Sequence, residues 1–287
     1  MSPYARGVAL CLVAGLVWST SGVTFRTLEQ PDVWKVSFWR SGTMAVSVLL
    51  LLLWRYRGGV LGAFRGIGGI GLLAAGFIAG ANILVMFSLS LTTVANTMFM
   101  LAAQPLLAAL LAWILLREGV GGRTVIAMVV ALAGVGVMVA DALGAGDLLG
   151  NLLALATALS FALFVVALRA GRSADMLPVL LVAGCLVSAV GFAAAGGEVG
   201  MSLHDILLCV VMGSVQVTLG LVLFVAGSRL LSAGEVTLLS QTEVVLGPVW
   251  VFLVYAEAPS MLTLAGGALV LAAVVGQALL GGRAQAR

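Results

Sequence analysis

The carboxylic acid Glu243 lies deep inside a long apolar segment that covers residues 233–257. A charged group in such a segment is costly to bury, so it marks a place where the charge has a use. A carboxylate there could contact an ammonium group or carry a proton. The alternative is a structural carboxyl group that stays protonated or pairs with a buried donor. We favour the first interpretation.

Uncharged polar residues accompany this acid. Gln104 lies 139 residues before Glu243, in an earlier apolar segment of the same kind. It precedes Pro105, whose ring frees a backbone carbonyl, so Gln104 either bonds neighbouring backbone or lines a cavity with Glu243. Ser240 shares a helical face with Glu243, whereas Gln241 points elsewhere and could bond a neighbouring helix. Together these side chains predict a polar site within an apolar interior.

A second polar pair and one cation lie deep in other apolar segments. Asn82 and Gln216 occupy similar positions in the two halves of the chain, and we expect both to line a cavity. Arg40 could bind a carboxylate, or it could extend to the membrane surface and pair with Glu29 or Asp32. We favour the surface pairing. A phosphate group would call for several such cations, so a zwitterionic or neutral ligand fits better.

Five large side chains could form an apolar wall beside these polar groups. Trp18 and Phe161 correspond to each other at an offset of 143 residues. With Phe164, Met86 and Met98 they would offer a soft surface to an organic side chain. Ordinary aromatic packing is the alternative.

Composition decides which solvent surrounds these segments. Of the 287 residues, 62% are hydrophobic and 9% are charged, and the mean hydropathy is +1.22. A water-soluble domain cannot cover so much apolar surface, so the surroundings are lipid. The apolar runs are about twice the length of a barrel strand, which predicts helices. The net charge of +3 requires no nucleic acid, and the three cysteines lack metal-ligand spacing.

The sequence predicts an all-α polytopic membrane protein with both termini in the cytoplasm. With the N-terminus inside, eleven of the fourteen lysines and arginines fall in cytoplasmic segments. Ten transmembrane helices are expected near residues 7–25, 33–53, 67–88, 94–116, 122–141, 148–169, 175–195, 205–228, 233–256 and 259–281.

The ten helices divide into two repeats of five, residues 1–145 and 146–287. Two apolar segments each contain a proline, Pro105 or Pro248, and end on an acid, Glu118 or Glu257, 139 residues apart. Because five is odd, the second repeat must enter the membrane from the opposite side. A duplicated unit with inverted topology is typical of transporters.

Several stretches together resemble a known family. They are VWSTSGVTFR (17–26), FWRSGTMA (38–45), LLRE ending at Glu118, AGSRLLSAGEV (226–236) and VYAE ending at Glu257. In order and spacing the chain resembles the EamA type of the drug/metabolite transporter superfamily. The resemblance implies ten helices in two five-helix repeats, and the export of amino acids or other small metabolites. The length is similar to that of YddG-type aromatic amino-acid exporters. The second half departs from the pattern, since Ala183 stands where Arg40 has its counterpart.

We therefore expect a secondary transporter that exports small organic solutes through a central cavity between the repeats. Amino acids, including aromatic or hydrophobic ones, are the expected substrates. The alternatives are an uncoupled facilitator and an exporter of other metabolites or drugs. A channel lacks a recognisable filter sequence, and an intramembrane enzyme lacks a nucleophile or metal motif. The expected substrate-binding residues are Trp18, Asn82, Met86, Met98, Gln104, Phe161, Phe164, Gln216, Ser240, Gln241 and Glu243.

The expected surroundings follow from the same argument. We expect no cofactor and no metal, no nucleic-acid partner, and a bacterial inner membrane as the location. Because both repeats lie in one chain, a monomer would suffice for function.

Overall fold

The computed structural model describes residues 2–29, 31–57, 64, 67–117, 122–145, 147–171, 176–228, 230, 239 and 242–285. Every regular element in these ranges is helical, which confirms the all-α prediction. The helices are α1 Pro3–Ser19, α2 Ser21–Arg26, α3 Val33–Tyr56, α4 Gly68–Leu91, α5 Val94–Leu101, α6 Gln104–Leu116, α7 Gly122–Ala145, α8 Leu148–Gly171, α9 Met176–Ala194, α10 Leu203–Val210, α11 Gly220–Ser228, α12 Thr242–Tyr255 and α13 Met261–Gln285. A π-helical segment, Val211–Leu219, joins α10 to α11.

The apolar helical stretches found among the described residues differ in length. Six are long and apolar enough to cross a bilayer: Pro3–Arg26, Val33–Tyr56, Gly68–Leu91, Val94–Leu116, Leu148–Ala167 and Leu203–Phe224. Four are shorter: Val125–Asp141, Pro178–Ala194, Thr242–Tyr255 and Met261–Ala273. A multi-pass membrane protein is thus confirmed, while the count of ten spans stays a prediction.

The outward face of the bundle is made of large apolar side chains. Leu72 and Leu73 are 58% and 62% exposed, and Ile126 and Leu253 are both 66% exposed. In water, apolar surface of this extent would drive association or aggregation. Lipid is the surrounding in which these side chains are stable.

The first predicted span is broken into two helices at Thr20. The hydroxyl of Ser19 donates to the Leu16 carbonyl, and that of Thr20 donates to the Val17 carbonyl, both at 2.7 Å. Hydroxyls that bond back to the preceding turn compete with the helical N–H groups and bend a helix. The break places Ser19 and Thr20 where α1 meets α2 in the bundle.

A proline divides the fourth predicted span. Pro105 lacks an N–H group, so the helix cannot continue its hydrogen bonds through this position. α5 ends at Leu101, and the Ala103 N–H bonds the Met100 carbonyl at 3.2 Å in a tightened turn before α6 begins. Gln104, the first residue of α6, lies directly at this break.

One end of the bundle carries side-chain caps for four helices. The caps are needed because the first turn of a helix leaves its N–H groups without acceptors. Asp32 caps α3 by accepting from the N–H groups of Trp34 and Lys35, at 2.9 and 3.1 Å. The three other caps, on α5, α10 and α13, are Thr93, Ser202 and Ser260. We call this end, defined by Asp32, Thr93, Ser202 and Ser260, the capped end.

The pairing of helices stays the same when the two halves of the chain are exchanged. α4 packs on α8 as α11 packs on α1, and α4 packs on α9 as the π-helical segment packs on α3. The pairs α3–α9, α7–α13 and α5–α12 join corresponding helices. A duplicated unit related by a two-fold axis produces such a pattern. The boundary between residues 145 and 146 stays a prediction.

Two glycines set the distance between α7 and α13. A Cβ atom on Gly134 would lie 2.6 Å from the Gly266 carbonyl oxygen, and a Cβ atom on Gly266 would lie 2.6 Å from the Gly134 carbonyl oxygen. The two backbones therefore touch at this crossing, as small residues permit in membrane helices.

We expect Gly134→Ala to destabilise the protein and Gly136→Ala to stabilise it. The new methyl group at position 134 must push α13 away, and overpacking of this kind costs about 1–3 kcal/mol. Gly136 lies on the same helix but faces open space, and replacing a helical glycine by alanine gains about 0.5–1 kcal/mol. Thermal unfolding of both variants in lipid nanodiscs measures the difference. Equal midpoints would show that the crossing tolerates a wider spacing.

Candidate functional site

Gln216 lies in the π-helical segment and faces the break between α1 and α2. Its side chain is 4% exposed, and its amide nitrogen donates to the hydroxyls of Thr20 and Thr24, at 2.9 and 2.8 Å. Its amide oxygen is buried and accepts no hydrogen bond. A buried acceptor without a donor is unfavourable, so this oxygen is available to a donor from a ligand.

The π-helical geometry brings the segment against α3. The Thr218 hydroxyl donates to the Gly213 carbonyl five residues earlier, at 2.9 Å. A Cβ atom on Gly213 would lie 2.1 Å from the Thr43 hydroxyl and 2.2 Å from the Arg40 carbonyl oxygen, so only glycine permits this approach. Short π-helical insertions occur frequently at functional sites. Here the insertion seats Gln216 one turn after the contact with Arg40.

The structure corrects the predicted surface pairing of Arg40. Its side chain is 8% exposed, and its Nη1 donates to the Asn82 Oδ1 at 2.8 Å. Asp32 caps α3 instead of pairing with Arg40. Asn82 also donates from Nδ2 to the Ile78 carbonyl at 2.9 Å, which fixes the direction of its amide. The deep cation is therefore held inside the bundle by an amide of α4.

Glu243 lies in the first turn of α12, where that helix meets α1. The side chain is half-buried, and no hydrogen-bond or ion-pair partner for it occurs in the described part of the chain. A Cβ atom on Gly15 would lie 3.1 Å from the Thr242 Cβ and 3.7 Å from the Glu243 nitrogen. The first turn of α12, which carries Glu243, thus lies against Gly15 of α1. Ser240 and Gln241, predicted beside it, lie outside the described residues.

The predicted apolar wall is distributed over separate places. Met86 and Met98 share a buried cluster with Val244. Phe161 and Phe164 pair at 5.7 Å between ring centroids and belong to a second cluster.

Two more predicted site residues, Trp18 and Gln104, lie outside these two clusters. Trp18 packs on Phe224 at 5.3 Å. Gln104 is half-buried at the start of α6. The five wall residues therefore form no single surface in this state, and their contact with a solute stays a prediction.

The capped end is closed by the carboxylate of Glu257. From the sequence, this acid serves only to mark the repeat. Glu257 Oε2 lies 3.0 Å from Arg26 Nε, and its Oε1 accepts the Val94 N–H at 2.9 Å. Arg26 Nη2 also donates to the Thr92 carbonyl at 2.8 Å. These bonds join the end of α2, the turn before α5 and the loop before α13. The sequence does contain a feature that points to this pair, because Arg26 and Glu257 each end a stretch that resembles the family.

A second polar network, which the sequence did not reveal, lies directly beneath. The Thr92 hydroxyl donates to Asn151 at 2.9 Å, and Asn96 donates to the Thr92 hydroxyl at 3.0 Å. The Thr263 hydroxyl lies 2.8 Å from Asn96 Oδ1 and 3.0 Å from Asp141 Oδ2. The network links α5, α7, α8 and α13. Asparagines inside apolar segments are the sequence feature that could have indicated this network, since such a side chain requires a hydrogen-bond partner.

Of the comparisons with known proteins, the match to a family model identifies the class of the molecule. The model of the EamA-like transporter family matches the chain twice, over residues 5–140 and 148–278. A solved structure described as "Crystal structure of protein" has a TM-score of 0.69 and 20% identity to this chain, and the match covers 96% of this chain and 98% of the other. At that identity the likeness shows the fold alone. No curated protein matches the chain at a significant level.

We expect the Arg26–Glu257 pair to contribute a coupling free energy of about 1 kcal/mol to unfolding. The two side chains are 27% and 23% exposed, so water screens the attraction only in part. Arg26→Gln, Glu257→Gln and the double variant form a cycle in which this coupling is measured directly. The matched control combines Arg26→Gln with Glu198→Gln, because Glu198 is an exposed acid. Additive effects in the first cycle would mean that the pair does not hold the capped end.

Proposed function

Since the chain belongs to the EamA-like transporter family, we propose that it is a secondary carrier that exports small organic solutes, with amino acids as the substrate class. The family and the apolar helices make the chain a multi-pass membrane transporter of small solutes. Alternating access between the two halves is the mechanism that we propose, because the helix pairing is symmetric under their exchange.

The proposal includes a topology and a location. It assigns ten spans in two inverted repeats, residues 1–145 and 146–287, and both termini to the cytoplasm. It places the protein in a bacterial inner membrane, where the capped end faces outward, and it takes a monomer as the working unit. The distribution of arginines supports this orientation.

The observation that carries the substrate class is the unpartnered carboxylate of Glu243 at the junction of α12 and α1. A half-buried acid without a donor is costly within a helix that spans lipid, and a substituted ammonium group supplies both the charge and the donors. The amide nitrogen of Gln216 bonds the hydroxyl of Thr20, and its buried amide oxygen, which has no donor, is a further acceptor available to a solute.

The networks at the capped end support a direction for the open path. The Arg26–Glu257 pair and the bonds around Thr92 tie together helix ends from both halves. In this state we propose that the solute exchanges with the opposite, cytoplasmic end. Export then requires the bonds at the capped end to break while the opposite end closes.

An uncoupled facilitator is the second candidate. Proton-driven carriers use chains of titratable groups. In the described part of the chain, no histidine or second carboxylate is hydrogen-bonded to Glu243. This observation favours solute binding by Glu243 over proton transfer.

The test is counterflow of labelled amino acids in proteoliposomes, with and without a pH gradient. We expect saturable exchange by the wild type and a loss of about tenfold or more in Glu243→Gln, which keeps the shape of the side chain but removes its charge. Glu198→Gln is the control, since it removes an exposed acid.

The pH gradient separates the two candidate functions. Glu243→Gln transport that falls only when the gradient is imposed would make Glu243 a proton site. A loss that is equal with and without the gradient would make it a binding residue in a facilitator. Wild-type protein that exchanges no amino acid would remove amino acids as the substrate class.

A further inference from the structure

One face of α3 carries three polar side chains, and each of them has a hydrogen-bonding atom without a partner. Ser37, Arg40 and Ser41 are 1%, 8% and 1% exposed. The two hydroxyls and the Arg40 Nε are buried without a partner. Their spacing of three and four residues places them on the same side of the helix.

Neighbouring hydroxyls on the same helix do have hydrogen-bond partners, so the lack of partners at Ser37 and Ser41 is unusual. Thr43 donates to the Trp39 carbonyl at 2.9 Å, and Ser47 donates to the Thr43 carbonyl at 2.8 Å. These bonds to the preceding turn are the ordinary way in which a helical hydroxyl is satisfied in lipid. Ser37 and Ser41 do not make them, so their donors remain available.

The open face points into the bundle. On one side of it, α9 packs so closely that Cβ atoms on Gly184 and Gly191 would lie 3.0 Å or less from the backbone of α3. On the other side, the π-helical segment touches α3 at the Arg40 carbonyl through Gly213. Asn82 of α4 bonds Arg40 between these two contacts. The face is therefore enclosed by protein and lies away from the lipid.

The depth of Arg40 in the bundle also excludes the acids at the capped end as partners of its guanidinium. Arg40 follows the capping residue Asp32 by eight residues, a distance of about 12 Å along the helix. Asp205, the buried acid of α10, instead accepts the Glu29 N–H at 3.0 Å. No carboxylate pairs with Arg40 in the described ranges. The guanidinium bonds Asn82 through Nη1, and its buried Nε donor has no partner.

We propose that Ser37, Arg40 and Ser41, with Asn82 orienting the guanidinium, form a binding subsite for the carboxylate of a transported solute. A carboxylate accepts several hydrogen bonds in a plane and matches the fork of a guanidinium. A single cation balances one carboxylate charge, whereas a phosphate would require more. This inference deepens the proposed function and rests on it, because it assigns the residues that bind the acidic end of the transported solute.

The test compares two probes of the same shape, 3-phenylpropionate and 3-phenylpropionamide, which both lack an amino group. Binding to the full-length protein in lipid nanodiscs is measured by calorimetry. We expect the wild type to prefer the carboxylate by about tenfold or more, as charge-assisted hydrogen bonds imply. Arg40→Gln should abolish this preference, and Arg40→Lys should keep only part of it, because lysine lacks the planar fork.

Serine variants make the test independent of any folding defect caused by removing the buried cation. The double variant Ser37→Ala and Ser41→Ala should lose most of the preference. The control is Ser47→Ala on the same helix, whose hydroxyl is already bonded to the backbone. Unchanged preference in the double serine variant, or equal binding of the two probes by the wild type, would overturn the proposal.

The binding test can fail separately from the transport test. Preference for the carboxylate that depends on Ser37 and Ser41, in a protein that transports no amino acid, would leave the subsite in place and remove the amino-acid proposal. Amino-acid exchange without any carboxylate preference would do the reverse.

Discussion

The capped end of the bundle depends on one carboxylate, that of Glu257. One of its oxygens pairs with Arg26, and the other accepts the Val94 N–H, a donor at a helix start that has no intrahelical acceptor. Because Arg26 also bonds the Thr92 carbonyl, the acid fixes three chain segments that come from both halves. Losing one partner would leave a desolvated charge or an unpaired amide, so these bonds form and break together. Whether the capped end is closed therefore depends on all of these bonds together.

Burial alone does not separate structural polar groups from those that are free to bind a solute. Asn96 and Thr263 are buried, and both are bonded to partners within a network that joins four helices. Gln216 and Arg40 are equally buried, yet each keeps an atom without a partner. In lipid, where water cannot complete a hydrogen bond, that difference is costly. Asn151 also keeps a buried Nδ2 without a partner, although its oxygen belongs to the network at the capped end, so unmet hydrogen-bonding capacity identifies binding groups only together with their position.

The sequence predicted the helices well, because a long apolar run in lipid has few structural options. It did not predict the break at Thr20, since serine and threonine hydroxyls can bond solvent, a neighbouring helix or their own backbone with similar ease. The predicted pairing of Arg40 with an acid at the surface is wrong, because a long flexible side chain can reach the surface and only the position of Asn82 on α4 shows that this one does not. Trp18 and Phe161 correspond in the repeat, yet Trp18 packs on Phe224 of α11 whereas Phe161 packs on Phe164 of its own helix. Packing partners depend on tertiary contacts that periodicity does not contain.

The two halves pair alike but contribute different polar side chains. Arg40 of α3 corresponds to Ala183 of α9, and Glu243 of α12 corresponds to Gln104 of α6. A symmetric bundle with identical halves would offer a solute two equivalent orientations. In the carrier that we propose, the cation of the first half and the acid of the second give a solute with unlike ends one favourable orientation. Under this proposal duplication provides the moving scaffold, and a few substitutions select the solute. For this reason a fold shared at 20% identity carries no information about the solute.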